Sequence, residues 1–242
     1  MTLFLTSDPG GYDRFRGVPD PRGLNPQNGL VTELKARWPQ KARVLLISAF
    51  PDGFDGNDQN REIMKNALER SGLPVAQMDV WDRRVARYAL EDYDLLIFGG
   101  GHVPTQNRYF GEIGLKEALR HYDGMVLGIS AGTMNCAETV YAQPELEGEA
   151  LDPDYQRFIT GLGLTDIMVL PHYQLLREEV LDGLRVIEDI TLGDSMGNRF
   201  YLLVDGSFIL VEQGLRRIYG ESYLVENGTI KPLCQLGETV EI

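Results

Sequence analysis

The chain has 242 residues, 43% of them hydrophobic, and a formal net charge of -13. The apolar share suffices for a full core in one large α/β domain. The acidic balance excludes a nucleic-acid surface, which needs clustered Lys and Arg to displace counterions from phosphates, and no run approaches the roughly 18 apolar residues of a membrane helix.

In chain order, "LFLTS" (3–7), "RVLLISAF" (43–50), "PVAQMDVW" (74–81), "DLLIFGG" (94–100), "GMVLGIS" (124–130) and "DIMVLPHY" (166–173) read as strands. Most run apolar without alternating, the pattern of strands buried on both faces. Between them, "DQNREIMKNALERSG" (58–72) and "GEIGLKEALRHYDG" (111–124) read as amphipathic helices closed by Gly72 and Gly124, and "AGTMNCAETVYA" (131–142) as a third helix. Alternating strands and helices predict a mostly parallel, doubly wound sheet covered on both faces. Residues 8–30, rich in Gly, Pro, Asn and Asp, read as a long surface loop of the functional or mobile kind. Towards the end, "RFYLLVDGSFILVE" (199–212) and "SYLVENGTIKPL" (222–233) place Asp205-Gly206 and Asn227-Gly228 between strand-like runs, so antiparallel hairpins should finish the fold. No repeat or linker divides the chain, and a single α/β domain over residues 1–242 is expected.

Cys136 and Cys234 form no CxxC pair and have no histidines at ligand spacing, so neither a disulfide framework nor a zinc site is indicated. With no basic region or cleavage pattern of a secretory leader in the first residues, a reducing cytoplasm is the expected location.

The chemistry centres on "LGISAG" (127–132). A Gly-x-Ser-x-Gly turn between a buried strand and a helix places Ser130 either as a nucleophile on a strained elbow or as a helix cap. A hydroxyl nucleophile needs a base. His172 in "VLPHYQ" and His102 in "FGGGHVP" both follow apolar strands, whose carboxyl ends line the ligand crevice of a parallel sheet, and they compete for that role. His121, late in a helix, reads as a surface residue. Gly99-Gly100-Gly101 lacks the spacing of a phosphate loop; it is either a tight turn or a source of N–H groups for an oxyanion. The orienting carboxylate is left open among Glu138, Glu145, Glu147, Glu149, Asp152 and Asp154.

"FGGGH", "GISAGTMNCAE" and "VLPHY", in this order and separation, resemble the peptidase E and cyanophycinase group of serine peptidases, family S51, within the class I glutamine amidotransferase-like fold. The resemblance spans roughly residues 40–215. It implies Ser130 as nucleophile, His172 as general base and Glu145 as acidic partner, with Glu147 or Glu149 as substitutes in the cyanophycinase branch. It also implies an oxyanion hole from Gly100, Gly101 and Ala131. The family commonly has Asn after its glycines; His102 stands there instead and is expected, with Arg108, to contact substrate. An aspartyl preference needs a cationic pocket, for which Arg108, Arg157 and Arg177 are the candidates. Serine rather than cysteine at the elbow argues against glutamine-dependent amide transfer, with Cys136 a packing residue.

The expected activity is therefore hydrolysis of a peptide bond in a small peptide, with aspartyl dipeptides a candidate class, through a Ser-His-Glu triad and without metal or organic cofactor. The alternatives are a non-catalytic binding module of the same fold, cyanophycinase-like hydrolysis of β-aspartyl peptides, and a sugar- or nucleotide-handling enzyme. A small peptide is the expected partner, with neither nucleic acid nor membrane. The oligomeric state is open, a homodimer included.

Overall fold

The computed structural model describes residues 1–11 and 22–242. The elements in the first half are β1 (Thr2–Thr6), α1 (Leu30–Lys35), β2 (Ala42–Ile47), α2 (Phe54–Arg70), β3 (Val75–Trp81), β4 (Leu95–Phe98), α3 (Val103–Glu112), α4 (Leu115–Ala118) and β5 (Met125–Ile129). Then come α5 (Ala131–Met134), β6 (Thr139–Tyr141), β7 (Phe158–Thr160), β8 (Met168–Leu170), α6 (Tyr173–Leu176), β9 (Val180–Leu181), β10 (Leu184–Arg185) and α7 (Leu192–Asp194). The chain finishes with β11 (Arg199–Leu203), β12 (Phe208–Glu212), β13 (Leu215–Tyr219), β14 (Ser222–Glu226), β15 (Thr229–Cys234) and β16 (Thr239–Glu241).

An eight-stranded sheet runs in the order β16-β13-β12-β1-β5-β4-β2-β3, with β1, β5, β4, β2 and β3 mutually parallel and β12, β13 and β16 antiparallel. Both faces are covered, as the unbroken apolar runs predict: Leu5, Leu45, Leu96 and Val126 pack on one side and Phe4, Val44, Leu95 and Leu127 on the other. The mixed α/β architecture with a mostly parallel central sheet and added antiparallel strands matches the expected fold class.

Several elements depart from the sequence reading. β8 does not join the main sheet; it forms a second sheet in the order β15-β14-β11-β8. Asn227-Gly228 closes the expected hairpin between β14 and β15, with both residues at positive φ. Asp205-Gly206 does not close one. It carries the chain from β11 in the second sheet to β12 in the first, because β11 pairs with β14 and β8 while β12 pairs with β1 and β13. The dipeptide signals a turn; which strands pair is settled at long range. The hairpin between β12 and β13 turns instead on Gln213-Gly214.

The helix expected at 111–124 begins earlier, at Val103, and Gly114 at φ 64 separates α3 from the short α4. The helix expected at 131–142 lasts one turn, because the β-branched and aromatic "TVY" pairs with β7. Of the 8–30 segment, Gly10 bridges to Leu24 and Asn25 N–H donates to the Pro9 carbonyl at 2.7 Å; residues 12–21 lie outside the described part. No helix among the described residues is long and apolar enough to cross a membrane.

The junction of β5 and α5 is packed to contact on both sides. A Cβ on Gly132 would stand 2.2 Å from the Phe98 carbonyl oxygen, and one on Gly128 would stand 2.7 Å from Thr133 Cα. Both obstacles are backbone and cannot swing aside. Gly132→Ala is therefore expected to destabilise by about 1–3 kcal/mol or more, read as a lower denaturant midpoint, whereas the same change at Gly111, which faces open space, costs far less.

Candidate active site

The carboxyl ends of β1, β2, β4 and β5 meet at one edge of the main sheet, and the segments leaving β8 and β11 arrive at the same edge. Ser130 follows β5 directly and sits at φ 52, ψ -113. A non-glycine residue held there stores strain of about 1–3 kcal/mol. The turn is held through Thr6, whose carbonyl accepts from Ser130 N–H at 3.2 Å and from Thr133 Oγ1 at 2.8 Å, while its own hydroxyl donates to the Gly128 carbonyl at 2.6 Å. Although Ser130 occupies the N-cap position of α5, its side chain makes no capping hydrogen bond. Its Oγ lies 2.9 Å from His172 Nε2.

His172 leaves β8 in a left-handed conformation, φ 59 and ψ 33. Its backbone N–H donates to Ser7 Oγ at 2.8 Å, and the Ser7 hydroxyl donates to Asp205 Oδ1 at 2.7 Å. The same Asp205 oxygen is 2.6 Å from His172 Nδ1. Asp205 is steadied in turn by its N–H, which donates to Gln174 Oε1 at 3.1 Å. With the carboxylate on Nδ1, the proton resides there and Nε2 faces the serine as an acceptor.

The carboxylate that meets His172 Nδ1 is that of Asp205, where the resemblance implies Glu145. Glu145, Glu147 and Glu149 lie on a loop whose carboxylates serve other ends. Glu149 Oε2 accepts the N–H groups of Glu145 and Leu146 at 2.9 and 3.0 Å, and its Oε1 is 3.0 Å from His102 Nε2. Sequence reasoning passed over Asp205 because Asp-Gly reads as a hairpin turn. The signal was present: "LLVDG" ends an apolar strand in a polar residue just as "MVLPH" does. Ser7, fully buried at the end of β1, carried no comparable signal.

His102 is fixed between Glu149 and Thr105 Oγ1, which is 2.8 Å from its Nδ1, so it neither reaches Ser130 as a base nor points freely at substrate. Arg108 lies on the exposed side of α3 and lines neither cavity beside Ser130. Arg157 is 2.7 Å from Asp194 and Arg177 is 3.4 Å from Glu178. None of the three supplies the expected cationic pocket.

The glycine loop runs beside Ser130. Gln106 Nε2 donates to the Gly99 carbonyl at 2.7 Å, and Gly99 N–H donates to Ile47. The following N–H groups of Gly100 and Gly101, and that of Ala131, have no acceptor among the described residues. A Cβ on Gly100 would lie 3.5 Å from Ser130 Cβ, which shows how closely this backbone approaches the serine. These donors beside the hydroxyl are the arrangement that stabilises a tetrahedral oxyanion.

Two small cavities flank Ser130. One, of about 280 Å³, runs along the glycine loop towards Phe50 and Asn57; the other, of about 230 Å³, runs past His172 to Glu145 and Glu179. Two larger cavities, of about 670 and 700 Å³, contain neither Ser130 nor His172. No group of His, Cys, Asp and Glu among the described residues could hold a metal ion. Cys136 is buried inside α5's packing and its thiol is pushed well above the ordinary range by that burial.

Residues 36–218 match the model of peptidase family S51. The chain belongs to peptidase family S51. The fold is shared with a crystal structure of a peptidase from an acI-B1 Actinobacterium, at 15% identity and a TM-score of 0.67, covering 100% of this chain and 96% of that one. It is shared also with a peptidase E candidate from Listeria monocytogenes EGD-e, at 17% identity and a TM-score of 0.56, covering 96% and 98%. A comparison with curated proteins finds no match. This member of family S51 is accordingly a peptidase by family.

Glu145 is accessible to solvent, yet it faces the cleft and is surrounded by protein on most sides. That crowding, with Glu149 and Glu179 nearby, pushes its carboxyl from 4.5 up to about 8. The folded chain therefore holds a proton that the unfolded chain releases, and the group removes stability as pH rises from 4.5 towards about 8. Glu145→Gln is expected to raise Tm relative to wild type at pH 9, with the difference vanishing near pH 4.5; equal Tm values at pH 9 would refute the assignment.

Proposed function

We propose that this protein is a serine-type peptidase acting on small peptides, with Ser130 as nucleophile, His172 as general base and acid, and Asp205 as the group that orients and charges the histidine. The observation that carries the reading is the strained Ser130 whose hydroxyl, free of any capping bond, lies 2.9 Å from His172 Nε2. His172 takes the hydroxyl proton as Oγ attacks the scissile carbonyl, and the new alkoxide forms next to the N–H groups of Gly100, Gly101 and Ala131. The tetrahedral intermediate collapses as Nε2 gives that proton to the departing amine, leaving an acyl-serine. Water, deprotonated by the same histidine, then attacks the acyl carbonyl and regenerates Ser130.

Asp205 keeps the proton on Nδ1 and offsets the charge that His172 gains in each transition state. Ser7 contributes indirectly, by holding both the His172 backbone and the Asp205 carboxylate. The flanking cavities, about 280 and 230 Å³, are each below the roughly 300–1,000 Å³ typical of drug-sized ligands. They suit about one residue on either side of the bond, which favours short peptides over folded proteins.

Ser130→Ala is expected to abolish peptide hydrolysis while leaving Tm unchanged or raised, since the strained position remains but the nucleophile is gone. Hydrolysis at the wild-type rate in that variant sinks the proposal. Asp205→Asn should lower kcat by about 10⁴-fold, as in other Ser-His-Asp triads. Glu145→Gln should lower kcat far less than Asp205→Asn does; a loss as large as that of Asp205→Asn would return Glu145 to the triad.

A further inference from the structure

The cavity on the His172 side of Ser130 has a composition that the hydrolytic machinery does not require. Among the described residues, its charged walls other than His172 are two carboxylates, Glu145 and Glu179, and neither Lys nor Arg lines it. Its apolar lining includes Leu170, Leu175 and Leu176. Gln143 also lines it, is 3% exposed, and its Nε2 has no hydrogen-bond partner among the described residues. A buried amide donor left unpaired in a cavity wall is a group awaiting an acceptor. The cavity on the other side of Ser130 is lined by no charged residue among those described.

The wall is also held in place. Asp182, at the turn between β9 and β10, accepts the N–H groups of Gly148 and Ala150 at 2.8 and 3.1 Å, while Glu149 accepts those of Glu145 and Leu146. Glu145 therefore projects from a loop whose backbone is tied at both ends. Burial first, and the neighbouring carboxylates of Glu149 and Glu179 second, favour the protonated form of Glu145, and an entering cation replaces that proton.

We propose that this cavity is a subsite for a cationic group of the peptide substrate, an ammonium or guanidinium, held between Glu145 and Glu179 while the Gln143 amide binds a substrate carbonyl or carboxylate oxygen. The apolar lining accommodates the methylene stem that a Lys or Arg side chain carries behind its charge. Among the described residues, neither cavity beside Ser130 offers an acidic side chain a Lys or Arg countercharge, so the subsite favours positive charge over the expected aspartyl group. The inference rests on the peptidase reading for its substrate class.

The test uses the purified full-length protein and two readouts. The first is kcat/KM on Arg-Ala and Ala-Arg against their citrulline isosteres, on Ala-Ala with and without N-acetylation, and on Asp-Ala. If the cation is a side chain, one arginine peptide exceeds its citrulline isostere by roughly five- to tenfold, and Glu179→Gln or Glu145→Gln shrinks that ratio. If it is the free α-amino group, the isosteres are equal, acetylation suppresses cleavage, and the same variants reduce the effect of acetylation. Equal rates throughout, or a preference for Asp-Ala that both variants leave intact, overturn the proposal. The second readout is calorimetric binding of argininamide against citrullinamide to Ser130→Ala, with and without Glu179→Gln. Charge-selective binding that Glu179→Gln abolishes supports the subsite even if no peptide is cleaved, in which case only the peptidase reading has failed. Equal binding of the two amides counts against the subsite whatever the enzyme hydrolyses.

Discussion

The site depends on one strained peptide segment, Gly128 to Gly132, in which the chain leaves a buried strand and enters a helix within a single residue. Ser130 at φ 52 would relax if the backbone around it could move. It cannot, because the Thr6 carbonyl fixes Ser130 N–H and the Thr133 hydroxyl at once, and because Gly128 and Gly132 already touch backbone on their outer sides. The parallel pairing of β1 with β5, Thr6 opposite Ile129, brings that carbonyl to the right height. The strain is thus a product of sheet register, and the exposed hydroxyl is its consequence.

The same strand end also holds His172 and Asp205. Ser7, one residue beyond Thr6, joins the His172 backbone to the Asp205 carboxylate, and Ser7 N–H itself donates to the Ser207 carbonyl. β12 runs antiparallel to β1 with Phe208 opposite Thr6, so the segment arriving from β11 must pass this point. His172 and Asp205 come from the second sheet and Ser130 from the first. The three side chains therefore meet at the seam between the two sheets, and their geometry reports the relative placement of the sheets.

Around that seam, side chains that resemble catalytic candidates work as supports. Glu149 ties His102 to the loop that carries Glu145, and Gln106 and Asn135 fix the glycine loop against α3 and α5 through hydrogen bonds of 2.7 to 3.2 Å. Each satisfies buried polar groups that would otherwise be costly. Among the described residues, the two cavities beside Ser130 differ in charge, one lined by no charged side chain and the other by Glu145 and Glu179.

By itself the sequence determined what is local: the buried parallel strands, from non-alternating apolar runs; the turn at Ser130, from its flanking glycines; the close backbone approach at Gly100 and Gly101, from the glycine run; and the position of His172, from its place after an apolar strand. Only the tertiary structure decided which carboxylate meets His172. Asp205 lies 33 positions further along the chain and is brought to Nδ1 by a crossing between sheets that no dipeptide preference encodes. The same reason separates the Asn227-Gly228 hairpin, read correctly, from Asp205-Gly206, read as its twin: turn chemistry is written in neighbouring residues, whereas strand partnership is a property of the whole sheet.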